Sequence, residues 1–494
     1  MEKPVRNHFS IVLVNTLKYT WFFIVMLFFN LLQDKDEAPG KEFDYIGFSI
    51  LMASILIAVF LVVLLFQFIR WRKTYISIND GQLIVEKRYK IMNNKTTVKL
   101  SSISTVNLKQ NILHRIFNVY NLQLDINSAV TAEKTDFNLV FNREMAFEFK
   151  RLITELNSGN EPYPYGTGIT DETPDKPGAF GNDESGQMPV VSFPFSKVAR
   201  HCIMSVTITG ILISIAVYAG VILGLLFPEE GEVVSELDKI VALLIVIVPL
   251  FLQFISPFFR YYGFMVKKQN NRMIISYGLF TKQQYTLPLE KTSALIIRQT
   301  MLSRLFDLYY GEILNVGMGD EENKESPLFC LMVSKQELNS IIQHLAPEYY
   351  ITEAIQPSPN CALMPVMMKY LILALPVFIV SIVFGLWPAG LVWLGFIILA
   401  AYLSHKAKGL GLQENKVAIS SGVFSKKTII ISYSKIQNLS TTYGPVSKRL
   451  GLRKGNVTVL ASLANKIHPI GYFPINEFER LANYMIEHES IEKS

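Results

Sequence analysis

The residues of this chain whose types could do chemistry are seven histidines, three cysteines and several tight groups of arginine and lysine. The histidines are His8, His114, His201, His344, His405, His468 and His488. None stands in an H-E-x-x-H pair, and no local Cys/His cluster has metal-ligand spacing. Cys202, Cys330 and Cys361 are too dispersed to act together as ligands, and three thiols in 494 residues exclude a disulfide framework. There is no Walker-type phosphate loop, and Gly317–Met318–Gly319 lacks the third glycine of a dinucleotide fingerprint. The expectation is therefore no catalytic residue, no metal and no cofactor.

The basic groups are more informative. Arg70, Arg72 and Lys73 follow one apolar run; Arg260, Lys267 and Lys268 follow a second; His405, Lys406 and Lys408 follow a third. Lys426 and Lys427 sit at a hairpin tip. Lys and Arg beside a membrane are each drawn to anionic lipid by about 1 kcal/mol. Arg70, Arg72, Lys73, Arg260, Lys406, Lys426 and Lys427 are thus candidate membrane-surface contacts. The tendency of cationic residues to stay on the cytoplasmic side accounts for Arg70, Arg72 and Lys73 equally well.

The elements that must position these groups are membrane helices. Half of the chain is apolar and 18% is charged, against a usual quarter. Residues 45–69, 203–227 and 370–404 contain no Asp, Glu, Lys or Arg, and such runs are long enough to cross a bilayer. Six spans are expected: within 12–32 and 46–69, about 203–227 and 240–259, and two within 370–404. That last run would measure about 52 Å as one helix, too long for a hydrocarbon core of about 30 Å. Leu386–Trp387–Pro388–Ala389–Gly390 supplies the break. Lys18 lies within the first span, where it either marks function or snorkels to the surface. Segments 33–45 and 228–239 are acidic, with net charges of −3 and −4. With cations at the opposite helix ends, the acidic loops are expected outside, and both termini and all large soluble segments in the cytoplasm. Trp71, Tyr261 and Tyr262 fall where an interfacial aromatic belt would lie. A net charge of +6 gives no support to nucleic-acid binding.

The chain repeats itself three times. Gln110, Leu113, Arg115, Phe117 and Tyr120 recur, 189 residues on, as Gln299, Leu302, Arg304, Phe306 and Tyr309. Gly278–Leu279–Phe280–Thr281–Lys282 recurs as Gly422–Val423–Phe424–Ser425–Lys426. A looser match sets Leu302–Ser303–Arg304–Leu305 against Ser447–Lys448–Arg449–Leu450, so Arg115, Arg304 and Arg449 read as one duplicated position. Either a structural pairing that fixes a turn or an anion contact would explain that arginine. Each unit reads as a membrane hairpin, then β-branched runs broken by turn signals such as Asn79–Asp80–Gly81, then an amphipathic helix. The helices are expected after Asn142, Ser334 and Asn476, with Ser334 and Glu337 as a capping box. Residues 158–189 hold six Gly, five Pro and six acids, a composition unable to bury a core; they read as a flexible linker, with Pro162–Tyr163–Pro164–Tyr165 either spacer or docking peptide.

The resulting division is a membrane hairpin over 1–69, a soluble domain over 70–157 and the linker over 158–190. A second hairpin then spans 191–259 and a second domain 260–352. A short linker and third hairpin follow over 353–404, and a third domain over 405–494. Tandem strands with one terminal helix, a preceding membrane hairpin and the segment Tyr443–Gly444–Pro445–Val446–Ser447–Lys448–Arg449–Leu450–Gly451–Leu452 resemble the bacterial membrane PH-domain proteins of the second type, the YdbS/YdbT-like family, in its longer triple-module form. The resemblance covers nearly all of the chain outside the linker. It implies a membrane protein of α+β class: three repeats of a transmembrane hairpin followed by a PH-like β-sandwich or barrel with a C-terminal helix, each sheet seven-stranded and strongly bent. It also implies a bacterial plasma membrane, no catalytic residues, a link to envelope stress and antimicrobial-peptide defence, and cooperation with a smaller one-domain relative.

Three functions are carried forward. The first is a non-enzymatic scaffold whose modules bind a protein partner, each other or anionic lipid, with membrane lipids and a smaller PH-domain membrane protein as partners and the oligomeric state open. The second is a transporter or flippase-like exporter of lipid or peptide, for which a cavity lined by Gln67 and Gln253 would speak. The third, a lipid-directed enzyme, lacks any acid–base or nucleophile set.

Overall fold

The computed structural model describes residues 4–32, 45–88, 93–100, 103–126, 137–158, 180–182, 189–206, 208–226, 236–269, 271–315, 326–459 and 466–493. Both acidic loops, the Pro-Tyr-Pro-Tyr segment and Gly317–Met318–Gly319 lie outside the described residues. Two compact units result: Met1–Asp171 with Ile211–Arg260 and Gly278–Gln284, and Glu172–Gly210 with Tyr261–Tyr277 and Tyr285–Ser494.

In the first unit, α1 (Ser10–Leu32) and α2 (Tyr45–Lys73) form a helical hairpin, and α2 runs directly into β1 (Thr74–Asn79). Asp80 and Gly81, both at positive φ (48° and 68°), turn β1 into β2 (Gln82–Arg88), as the Asn-Asp-Gly signal predicts. β3 (Asn93–Lys99) completes one three-stranded sheet. β4 (Ile103–Gln110), the short α3 (Ile112–Ile116), β5 (Val119–Ile126) and β6 (Phe137–Asn142) form a second, closed by α4 (Arg143–Ser158). Asn142 caps α4 as expected, its Oδ1 accepting from the Met145 amide at 3.1 Å. Leu83, Leu108, Leu122, Phe141 and Phe149 meet in the core. The residues ahead of α1 belong to this module rather than to the membrane hairpin: Val5 pairs with Ile76 through two backbone bonds, and Asn7 Oδ1 accepts from the Val140 amide.

Inside the segment read as linker, the strand β7 (Phe180–Asn182) pairs with β8 (Pro189–Ser192). Val190 and Val191 supply β-branched residues there and extend the pairing to a later strand. The third membrane span begins later than expected. A separate amphipathic helix, α5 (Phe195–Met204), precedes α6 (Ile208–Leu226), and Cys202 is buried in α5. α7 (Glu236–Phe254) and the short α8 (Ser256–Arg260) complete the second hairpin. In the first unit Ser214 on α6 donates to Gln253 on α7 at 2.9 Å.

β9 (Met265–Gln269), β10 (Arg272–Tyr277) and β11 (Lys282–Pro288) follow. The second unit continues with β12 (Thr292–Gln299), α9 (Met301–Leu305), β13 (Leu308–Asn315) and β14 (Leu328–Ser334), closed by α10 (Lys335–Leu345) with the expected Ser334/Glu337 capping box. After β15 (Gln356–Pro357) comes the third hairpin, α11 (Leu363–Val383) and α12 (Trp387–Lys406). Gly385 (φ 71°) makes its turn, and Pro388 occupies the first turn of α12, where its missing N–H leaves nothing unpaired. Then follow β16 (Gly409–Leu412), β17 (Lys416–Gly422), β18 (Lys426–Ser432), β19 (Ile436–Thr442), α13 (Pro445–Arg449), β20 (Leu452–Val459), β21 (Lys466–Pro474) and α14 (Ile475–Lys493). Asn476 lies inside α14 rather than at its cap.

The expected seven-stranded sheet per module is not how the strands pair. In the second unit β18 bonds to β12, giving the order β14-β13-β12-β18-β17-β16-β15, while β19-β20-β21 stand apart as a three-stranded sheet. The cause is packing. Ala294, Ile296 and Leu314 of the second module share one core with Leu410, Val417, Ile431, Val457 and Phe478 of the third. Four helices among the described residues are long and apolar enough to cross a membrane: Ala53–Lys73, Ala242–Arg260, Asn360–Val383 and Trp387–Lys406.

Candidate functional site

The predicted membrane contacts fall on separate elements. Arg70, Arg72 and Lys73 form the last turn of α2, Arg260 ends α8, and Lys406 ends α12. Lys426 and Lys427 instead open β18, opposite Gln299 and Arg298 of β12. Burial depresses the Lys426 pKa, and Arg304 and Lys335 nearby add to the effect. Trp71, expected in an aromatic belt, donates its indole N–H to the Asn7 carbonyl at 2.7 Å, and Tyr261 packs edge-on against His201.

The histidines and cysteines are placed as follows among the described residues. No group of three His, Cys, Asp or Glu could hold a metal ion. Burial pushes the Cys202 thiol up to about 12 and raises that of Cys330 further, so both stay protonated and unreactive at neutral pH. His114 and His201 are buried, and desolvation lowers both to about 4.

What the structure does build, twice, is a joint between consecutive modules. At the first, Leu108–Gln110 of β4 pair with Gln284–Lys282 of β11. Arg115 at the end of α3 donates to the Leu279 carbonyl at 3.0 Å, and the Leu279 amide donates to the Phe259 carbonyl at 2.9 Å. The Phe280 ring lies 4.7 Å from that of Phe259 on α8. At the second joint, six residues of β12 pair with β18, from Ala294↔Ile431 to Gln299↔Lys426. Arg304 donates to the Val423 and Phe424 carbonyls at 2.9 and 3.0 Å, and Phe424 stacks on Phe396 of α12 at 5.5 Å. Arginine suits this work because its fixed fork can serve two carbonyls at once. Of the two roles open to it, the turn-fixing one is what Arg115 and Arg304 perform.

The turn they grip requires glycine. Gly278 (φ 113°) and Gly422 (φ 142°) begin the two tips, and a Cβ on either would collide with the carbonyl oxygen of Thr281 or Ser425. The short helices fix the register of the repeat. Asn111, Thr300 and Gly444 are their N-caps, and Asn118, Asp307 and Gly451 follow them at φ 50°, 49° and 68°. This corrects the third copy: Lys448, not Arg449, stands at the position of Arg115 and Arg304. The sequence match slipped by one residue because an arginine lay next to the true equivalent. The joint itself was missed, although Ala294–Leu295–Ile296–Ile297 is apolar on both faces, the pattern of a strand inside a sheet rather than at its edge.

Two cavities lie among the described residues that bear on the functions considered above. One of about 750 Å³ lies in the second unit, between Glu290, Glu348 and Tyr349 on one side and Asn415, Lys416 and Ser432 on the other. The Lys416 ammonium donates to the Glu348 carbonyl at 2.8 Å, and burial raises the Glu348 carboxyl pKa against the pull of Lys268, Lys435 and Lys416. The other, of about 450 Å³, sits at the foot of the first hairpin, where Lys18, Gln67, Arg70, Trp71 and Lys87 contribute to its wall. Gln253 is not among its lining residues.

Against known families, the bacterial PH domain matches three times, over residues 22–157, 207–346 and 370–488. The UPF0699 transmembrane protein YdbT of Bacillus subtilis (strain 168) is 21% identical over 477 residues, spanning 88% of this chain and 89% of its own length. The UPF0699 transmembrane protein YdbS of the same organism is 28% identical over 106 residues, 22% of this chain and 63% of its own. No solved structure matches.

Proposed function

The chain belongs to the bacterial PH domain family, three copies of which cover most of its length, and from that premise we propose that it is a non-enzymatic membrane scaffold. It is a membrane protein: four described helices can cross a bilayer, and its relatives are named transmembrane proteins. In this reading the modules face the cytoplasm, as the cationic helix ends favour, and they present surfaces to a protein partner and to anionic lipid. Work in envelope stress or antimicrobial-peptide defence is part of the proposal.

The observation that carries it is the shared sheet of the second and third modules. Six paired residues and a common core join the two modules edge to edge, the kind of continuous surface on which a partner can be held. The test is to cross-link cells, extract the protein into native nanodiscs and identify stoichiometric companions by mass spectrometry. A membrane-protein companion at constant ratio is expected; a chain recovered only with bulk lipid would overturn the scaffold.

Export of lipid or peptide is a second reading, favoured by one observation: the cavity at the foot of the first hairpin reaches Gln67 and Lys18. In that reading Gln67→Leu would abolish flux of a fluorescent lipid across reconstituted vesicles. Within the second hairpin, Gln253 is engaged with Ser214.

A further inference from the structure

The scaffold reading leaves open where a partner docks, and the repeat answers it. Each module has an acceptor edge followed by a short helix with a cation. The first acceptor, β4, pairs with Lys282–Gln284, the start of β11, within the first unit. The second acceptor, β12, holds the hairpin of the third. The third acceptor, β19, bonds only to β20 among the described strands. Its burial shows the difference: Ala294–Ile296 of β12 are buried, whereas Asn438 and Ser440 at the matching positions of β19 are exposed. Lys448, standing where Arg115 and Arg304 grip a tip, rests with Arg453 around the exposed ring of Tyr443, at 5.7 and 5.5 Å from its centre.

We infer that β19, together with Lys448, is a docking edge for a β-hairpin with a glycine-bearing tip, carried by a PH-like module of a separate membrane protein. Three observations select this occupant. First, the strand carries no guard of its own against pairing. Natural edge strands usually carry charge or proline to prevent pairing, but Ile436–Gln437–Asn438–Leu439–Ser440–Thr441–Thr442 has neither. Its register is regular from Asn438 to Thr442, the stretch matching the one that β12 offers to β18. Its polar composition suits an interface that also exists in water, unlike the permanently covered Ala294–Ile297.

Second, a further copy of this chain is a poor donor. The strand corresponding to β11 and β18 in the first module is β3, an edge of its own sheet. The position matching Gly278 and Gly422, however, is Tyr89. In both filled joints a Cβ at that position collides with the tip backbone that presents carbonyls to the arginine. A second copy's own glycine-bearing tips are already held by Arg115 and Arg304. Third, both internal donor tips lean on the helix that leads into their own module, Phe280 on Phe259 and Phe424 on Phe396. A donor of the same build therefore arrives beside a membrane helix, which makes the partner a membrane protein.

The probe is a head-to-tail cyclised peptide carrying residues 417–432, its hairpin fold verified by NMR, titrated onto the full chain in phosphatidylglycerol nanodiscs. Saturable binding is expected, weakened about tenfold or more, the equivalent of about 1.4 kcal/mol, by Ser440→Lys, which puts a charge on the edge, and to a smaller degree by Lys448→Gln. The same peptide with Gly422→Val is expected not to bind. Ser440 and Lys448 are both exposed, so neither variant threatens folding. In cells, a photo-cross-linker at Thr442 should mark a glycine-bearing hairpin of another PH-like chain. No peptide binding, binding indifferent to Ser440→Lys, or cross-links to the first-module hairpin of a second copy would each overturn the proposal. The inference rests on the scaffold reading but fails separately: a companion that still co-purifies with the Ser440→Lys chain sinks this edge and leaves the scaffold standing.

Discussion

β12 and β19 occupy the same place in successive modules, yet one is an interior strand and the other an edge. Both precede a short capped helix, and both pair on one side with the next strand of their own module. The difference lies in what reaches the other side: β18 with a gripped tip for β12, and no described strand for β19. The lesson is that burial here is set by position in the series as much as by local sequence. The sequence has adapted to it, with Ala-Leu-Ile-Ile in the covered strand and Asn-Leu-Ser-Thr in the open one.

The sharpest way to break the comparison is to truncate matching positions. Ile296→Ala removes a side chain that is 2% exposed within the shared core and should cost about 2–5 kcal/mol of stability. Ser440→Ala, its counterpart on the open edge, should stay within about 0.5 kcal/mol. Thermal unfolding of the purified chain decides it, and equal effects would mean that β19 is covered after all. Gly422→Ala comes next. It places a Cβ against the Ser425 carbonyl at an unfavourable φ and should cost about 2–3 kcal/mol. Gly444→Ser, in open space at φ −108°, should cost nothing measurable, since serine is a good N-cap.

The cations should follow in order of their bonds. Arg304→Ala loses two bonds to carbonyls, worth about 2 kcal/mol, and Arg115→Ala loses one, worth about 1 kcal/mol. Lys448→Ala should leave stability unchanged. A result that ranked Lys448 with Arg304 would show that its grip is already taken.

A separate effect concerns acid. His201 packs against Tyr310 of β13, next to β12, and burial lowers its pKa to about 4. As pH falls below about 6.5, the unfolded chain takes up the proton first, so stability is lost down to about pH 4 and then levels off. The loss should reach about 1 kcal/mol at pH 5.5. His201→Phe should flatten that part of the pH–Tm curve, whereas a slope that survives the substitution assigns it to another group.

Much of this fold was legible in the sequence. The uncharged runs marked the membrane helices, Leu386–Gly390 marked the break in the last pair to within a few residues of its turn at Gly385, and Asn79–Asp80–Gly81 named its turn, because each depends on local chemistry alone. The triple module was legible because duplication leaves coincidences at a fixed offset. The joints were not, since strand pairing across modules is non-local and a repeat count does not say whether copies touch. The Arg449 alignment failed for a related reason. A cation one residue away satisfies a sequence match, and only the caps and the positive-φ residues after each short helix settle the register.

The second joint has a consequence for how the chain is made. The acceptor β12 is complete at Gln299, but its donor β18 begins only at Lys426, after the whole of the third membrane hairpin. At about 5–20 residues per second, the ribosome needs on the order of 6–25 s to supply it. Throughout that interval the apolar Ala294–Ile297 stretch stands uncovered on a nascent, membrane-tethered chain. Insertion of α11 and α12 is therefore a step on which the solubility of the preceding domain depends, and a stall between them would release a sticky edge rather than a finished module.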